Sequence, residues 1–179
     1  YARANPGKLN VGTVVVGSTQ NLSAELLKTT TGLDFRIVPF RNTPDLTLSM
    51  TRGDVDLMID SYSALKSLID DKQVRALASS GPTRSPVTPD LPTAQEAGVP
   101  GYDVTSWNAL FAPAGTPPDV ITRLNRALNT AVADKDIIER FSAIGFETAP
   151  GTPEALAQRN RLETAKWAKA IRDAKIEAE

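Results

Sequence analysis

The residues of this 179-residue chain best placed to do chemistry lie in Asn10-Val11-Gly12-Thr13-Val14-Val15-Val16-Gly17-Ser18-Thr19-Gln20-Asn21-Leu22. A β-like run here turns through Gly17 into a helical one. At such a turn Ser18, Thr19 and the first helical N–H groups face outward at a strand's carboxyl end. Open α/β sheets bind ligands there, and unpaired amides together with the helix macrodipole attract an anion. The same residues can also serve only as a tight turn and an N-cap, and the local pattern leaves both readings open. The spacing Gly12-x4-Gly17 ahead of Ser18-Thr19 has the outline of a phosphate-binding P-loop. Ser18 occupies the position of the required lysine, which excludes nucleotide hydrolysis.

Ser63-Ala64-Leu65-Lys66 has the S-x-x-K spacing with which a lysine activates a serine nucleophile in penicillin-binding proteins and β-lactamases, although neither S-D-N nor K-T-G follows. These two residues define an alternative function, a Ser-Lys hydrolase. Asp54, Asp56 and Asp60 surround the run Val55 to Ile59, and strand alternation sets all three on one side. Without EF-hand spacing or its glycine turn they predict no metal site, and only Asp60, at the strand's carboxyl end, is expected to reach a cleft. Trp107 is expected to fill a core or an interlobe contact. The chain has no His and no Cys. That removes imidazole acid–base chemistry, the Ser-His-Asp triad, thiol nucleophiles, disulfides and Cys/His zinc sites, and it fits an oxidising compartment. With 20 Lys+Arg against 21 Asp+Glu the net charge is −1, too little for a non-specific nucleic-acid or anionic-membrane binder. No run reaches the roughly 18 apolar residues of a membrane span.

The elements that must position these residues follow from pattern. Strands are predicted at Leu9 to Val16, Phe35 to Phe40, Val55 to Ile59 and Val74 to Ala78, alternating with helices at Leu22 to Thr30, Leu46 to Arg52 and Ala64 to Asp70. This alternation implies an α/β fold with a mainly parallel sheet flanked by helices. Gly32 and Gly53 stand where helix C-caps want positive φ, and Thr43-Pro44-Asp45 reads as a helix start with Thr43 as cap. Eight of the 13 prolines lie between Gly81 and Pro118, a rigid crossover interrupted by the apolar run Val104 to Ala112, with a capping box at Thr93 to Glu96 that predicts one short helix. Beyond Thr116 the chain reads as helical. Val120, Leu124, Ala127, Leu128 and Ala131 share one face, Ile137 to Ile144 forms a second helix, Phe146 to Thr148 a short strand, and Thr152 caps a last helix to about Lys175.

Taken together the landmarks resemble one family, the TctC-like or Bug periplasmic solute-binding receptors of tripartite tricarboxylate transporters. The residues that carry the resemblance are Asn5-Pro6-Gly7-Lys8-Leu9-Asn10, Val38-Pro39-Phe40-Arg41, Gly53-Asp54-Val55-Asp56, Val74 to Ala78, Pro92-Thr93 with Glu96 to Pro100, and Ala112-Pro113-Ala114-Gly115-Thr116-Pro117 with Trp107 five residues before it. Thr152-Pro153-Glu154 and Glu163 to Trp167 complete the order over nearly the whole chain. The resemblance implies a type II periplasmic-binding-protein-like fold that closes on a small organic carboxylate without catalysis, and membrane transporter subunits as partners. It implies residues 1–106 as an α/β ligand-binding second lobe and 107–179 as a crossover strand and helical return toward the first lobe. It further implies Thr13, Gly17, Ser18 and Thr19 as the ligand loop, with Asp60 and Ser61 on the facing strand end. The family's G-S-x-G-x-G-[ST]-x-x-H-L loop is altered here, Val15 standing for a glycine and Asn21 for the histidine. Members are longer and open with a further βα segment, so the start at Tyr1, with neither initiator Met nor signal core, predicts a trimmed chain. A lobe without ligand function that self-associates through its missing-lobe surface is the other alternative.

Overall fold

The computed structural model describes residues 1–176. Its elements are β1 (Asn10–Val14), α1 (Thr19–Thr31), β2 (Arg36–Phe40), α2 (Thr43–Arg52), β3 (Leu57–Met58), α3 (Tyr62–Asp70), α4 (Pro118–Val132), α5 (Lys135–Ala143) and α6 (Pro153–Asp173). The chain divides into two compact units, Tyr1–Ser106 together with the chain from Lys166 on, and Trp107–Ala165.

In the first unit β1 is the central strand of a parallel sheet ordered β2-β1-β3. Val11 stands opposite Ile37 on one side and Leu57 on the other. Because parallel strands need helical crossovers, α1, α2 and α3 all start from the same, carboxyl edge of the sheet. Val11, Ala24 and Phe35 are buried together, with Leu9, Leu27, Leu33, Ile37, Leu57 and Ile59 packed around them. Leu27 and Leu26 of α1 also touch a second cluster of Ala94, Tyr102 and Val104, against which Ala78, Val99 and Trp167 pack. Gly12 is a spatial requirement: a Cβ there would collide with Leu46 of α2 and crowd Val55, so α2 lies directly on the strand. Gly32 and Gly53 end α1 and α2 in the left-handed conformation expected of them.

Several boundaries differ from the sequence reading. Val74 to Ala78 is no strand; the region's pairing reduces to one parallel bridge between Ser79 and Thr93, since β3 itself pairs over only two residues and offers no ladder to extend. The runs Val104 to Ala112 and Phe146 to Thr148 also lack strand pairing among the described residues. Thr43 is the first helical residue of α2, and Asn42 is its cap, its side chain accepting from the Asp45 N–H at 2.9 Å. The capping box at Thr93 forms in both directions, Thr93 N–H to Glu96 at 2.8 Å and Glu96 N–H to Thr93 Oγ1 at 3.1 Å, but encloses a turn that Gly98 ends before a helix develops. The backbone bond from Thr93, then the bond from Arg84, hold the Glu96 carboxyl below its usual range.

The second unit is helical. Its α4 begins at Pro118 without a side-chain cap, because Pro117 holds the cap position and has no side-chain acceptor, while the Thr116 hydroxyl donates back to the Pro113 carbonyl at 2.8 Å. Asp134, a cap that the sequence reading did not identify, starts α5. Asn125 and Asn129 of α4 bind the Gly151 backbone and so fix the loop before α6. The Arg159 guanidinium lies 5.4 Å from the Trp107 ring centroid. The apolar face read from Val120, Leu124 and Leu128 exists but is exposed, Leu124 at 57%, as are Ile138 and Phe141 of α5.

Tyr102 joins the loop region to α1, its hydroxyl donating to the Ser23 carbonyl at 3.1 Å in the interior. Burial pushes this phenol up to about 12 from 10.0, against a smaller opposing effect of the Ser23 side chain. The folded state therefore holds the proton longer than the unfolded chain. Its contribution is complete below pH 10 and is lost as pH rises toward about 12. Tyr102→Phe is expected to cost about 0.5–1.5 kcal/mol at neutral pH in urea unfolding and to flatten the alkaline fall in stability across that window.

Candidate functional site

The carboxyl edge of the sheet gathers most of the candidate residues. After β1 the chain turns at Gly17, whose φ of +80° lies in the left-handed region that glycine tolerates. Ser18 is the N-cap of α1, its Oγ accepting from the Asn21 N–H at 3.1 Å. Asn21 completes a variant of the capping box. Its Oδ1 accepts from the Gly17 N–H at 3.1 Å, one residue earlier than usual, and its Nδ2 reaches Thr13 Oγ1 at 3.4 Å. Asn21 and Thr13 are both buried, Thr13 completely. Thr13 and Gly17 thus face or bond the inside of the loop, and their polar groups brace it. The Ser18 N–H bonds to the Val15 carbonyl. Among the described residues no partner takes the N–H groups of Thr19 and Gln20, the first two of α1, so these are the loop's open donors.

Asp60 follows β3 at the same edge. Its Oδ1 accepts from Gln20 Nε2 at 3.0 Å and from the Ser61 N–H at 2.7 Å, and its Oδ2 accepts from Thr43 Oγ1 at 2.9 Å. Ser61 is the exposed cap of α3, and its hydroxyl accepts from Ser63 at 3.2 Å. The fold therefore brings Ser18, Thr19, Asp60 and Ser61 to one edge through the Gln20–Asp60 bond. Gln20 and Thr43 were missed in the sequence; nothing in local spacing pairs them with a residue 40 or 17 positions away. Asn21 was visible only as a departure from histidine, though Ser18-x-x-Asn21 carries the outline of a capping box.

Two other arrangements are chemically poor. Lys66 is paired with Asp70 at 2.6 Å, and that hydrogen bond, reinforced by the charge, raises its pKa. The pairing with Asp70 favours the ammonium form and so opposes the neutral amine that a base for Ser63 would need. A concavity of ≈ 450 Å³ at the far end of α1 is lined by Glu25, Lys28, Asp34 and Asp173 among others, and burial raises the Glu25 carboxyl. Carbonyl ends and three carboxyls make it unsuited to an anion. Among the described residues no group of three or more His, Cys, Asp or Glu could hold a metal ion, and no helix is long and apolar enough to cross a membrane.

A parallel sheet whose helix starts converge at one edge, with open N–H donors there, places the chain in the class of open α/β folds, whose carboxyl edge is chemically suited to an anion. Residues 1–176 match the tripartite tricarboxylate transporter family receptor, TctC, and the chain belongs to that family. It is 38% identical over 178 residues to the UPF0065 protein in the tcbD-tcbE intergenic region of Pseudomonas sp. strain P51, covering 99% of this chain and 53% of the relative. Among solved structures it resembles R. palustris Rpa4515 with adipate at TM-score 0.84 and 35% identity, covering 98% of this chain and 58% of the other. It also resembles the periplasmic binding protein BugD at TM-score 0.77 and 29% identity, covering all of this chain and 60% of BugD. The chain thus spans about half the length of the curated relative and somewhat more of these structures. The type II periplasmic-binding-protein-like class, with its parallel sheet flanked by helices, holds.

Because Asn21 saturates Gly17 and Thr13 from inside, Asn21→Ala is expected to destabilise the first unit by about 1–3 kcal/mol in denaturant unfolding. The Gly17 amide should exchange with solvent markedly faster in the variant.

Proposed function

We propose that this chain supplies one side of the site with which a periplasmic receptor captures a small organic carboxylate and delivers it to membrane subunits of a tripartite tricarboxylate-type transporter. The single observation that carries the reading is the pair of open N–H groups of Thr19 and Gln20 at the start of α1. They stand where the macrodipole and unpaired amides favour a carboxylate, beside the cap hydroxyl of Ser18 and the exposed Ser61. The adipate in the R. palustris relative supports the ligand class, and the description of BugD as a periplasmic binding protein supports the compartment. Binding proceeds without a chemical step: no His or Cys is present, and Lys66 is committed to Asp70. Thr13 and Gly17 shape the loop, whereas Thr19, Ser18 and Ser61 meet the ligand.

The exposed faces of α4 and α5 favour a second part of the reading. Leu124, Ile138 and Phe141 need an apolar cover, and the relatives carry a further stretch of chain comparable in length to this one. We assign that cover to such a stretch. Sedimentation of the present chain is expected to show concentration-dependent association as the exposed faces substitute for it; a strictly monomeric chain would contradict their need for a cover.

Proline at the first helical position keeps a helix and deletes one donor, and the extended Ser18 (φ −66°, ψ 161°) accommodates a following proline. Titration of the chain with adipate, followed by amide NMR, should give saturable shifts at Thr19 and Gln20. Thr19→Pro should weaken binding about tenfold or more at unchanged melting temperature, while Thr19→Val, which keeps the N–H, should not. Absence of saturable shifts in the unsubstituted chain would refute the proposed site.

A further inference from the structure

The sequence reading placed Asp60 in the wall of the ligand cleft, but its geometry assigns it a different task. Its three donors come from three helix starts. Gln20 is the second residue of α1, Thr43 the first residue of α2, and Ser61 the cap of α3. One half-buried carboxylate therefore ties together the beginnings of all three helices that leave the sheet's carboxyl edge.

Two physical consequences follow. Each helix start carries partial positive charge, so three of them gathered at one edge need a shared partner to hold them in place, and Asp60 supplies it by accepting one bond from each. A carboxylate also has about four acceptor positions, of which three are filled here, so little capacity is left for a ligand. An incoming anion would meet a like charge at Asp60 and attractive N–H groups at Thr19 and Gln20. The Gln20 side chain is held by Asp60 while its backbone N–H is open, which couples the direction of the donor to the carboxylate through one residue.

We propose that Asp60 is a positioning residue of the carboxylate site, holding the starts of α1, α2 and α3 in register so that the Thr19 and Gln20 N–H groups share one aim, and that it makes no direct bond to the ligand. This rests on the reading of the α1 start as the carboxylate site. Its distinctive feature is that geometry matters more than charge. Asparagine at 60 can accept from Gln20 and Ser61 through Oδ1 and donate through Nδ2 to the Thr43 hydroxyl, whereas alanine can do none of this.

The test compares Asp60→Asn with Asp60→Ala in the whole chain, by amide hydrogen exchange in the first turns of α1, α2 and α3 and by adipate titration. Asp60→Ala should accelerate exchange at all three helix starts and weaken adipate binding about tenfold or more, and Asp60→Asn should recover most of both losses. Gln20→Ala and Thr43→Val each remove one donor, and each should disturb mainly its own helix start; they carry the comparison if Asp60→Ala does not fold. An Asp60→Asn protein as defective as Asp60→Ala would show that the charge itself is what the site uses and would overturn the proposal. So would an Asp60→Ala protein with unaltered exchange and binding. If the unsubstituted chain shows no adipate response, the site reading fails while the exchange data still decide whether Asp60 organises the helix starts.

Discussion

Everything in the first unit depends on β1 having a parallel neighbour on each side. Parallel pairing sends both return connections over a face of the sheet, so α1 and α2 begin at the carboxyl edge and end at the other, and α3 leaves β3 from that same carboxyl edge. The arrangement gives the edge a row of helix starts, favourable to an anion without cationic side chains. The spacing is tight because Gly12 lets α2 settle against β1, and Leu46 fills the room a side chain at 12 would have taken. A Cβ at that position would force the Leu46 side chain to move, so the packing of α2 on the strand depends on the glycine.

The polar groups at that edge divide the work. Thr13, Asn21 and the Gly17 N–H satisfy one another inside the loop, and Asp60 binds Gln20, Thr43 and Ser61 across the helices. A buried polar group left unpaired costs more than a hydrogen bond contributes, so the interior side of the edge is saturated. The groups left open are backbone donors at the first turn of α1, where an unpaired N–H costs least because water reaches it. In the proposed site a ligand carboxylate would replace that water and gain the macrodipole besides. The two units have different physics. The first has a core around Val11, Ala24 and Phe35, while the second exposes Leu124, Ile138 and Phe141, consistent with relatives about twice as long.

The strand-turn-helix signal of residues 10–22 was readable from the sequence because its determinants are local: a β-branched run, a glycine at a turn, and a Ser cap. The same holds for Gly32 and Gly53 and for the capping box at Thr93. The ordered motifs also identified the receptor family, since their sequence and spacing persist over the whole length. Val74 to Ala78 misled because a short run with apolar residues at 74, 76 and 78 records only a preference, whereas a strand needs a partner with free ladder positions, and β3 pairs over only two residues. The amphipathic pattern of α4 was likewise correct as a pattern and silent on what covers it.

By itself the sequence determined the three strands that pair and the six helices to within a few residues, that their alternation yields a parallel sheet, and which loop could carry an anion-type signal. Only the tertiary structure decided the roles within that loop. It turned Thr13 and Asn21 inward, left Thr19 and Gln20 with open N–H groups, and drew Gln20 and Thr43 to Asp60 across 40 and 17 residues of chain. The physical reason is range. Turn and cap preferences act over three or four residues, while a hydrogen-bond partner contributed by another helix is set by how the sheet and its crossovers pack.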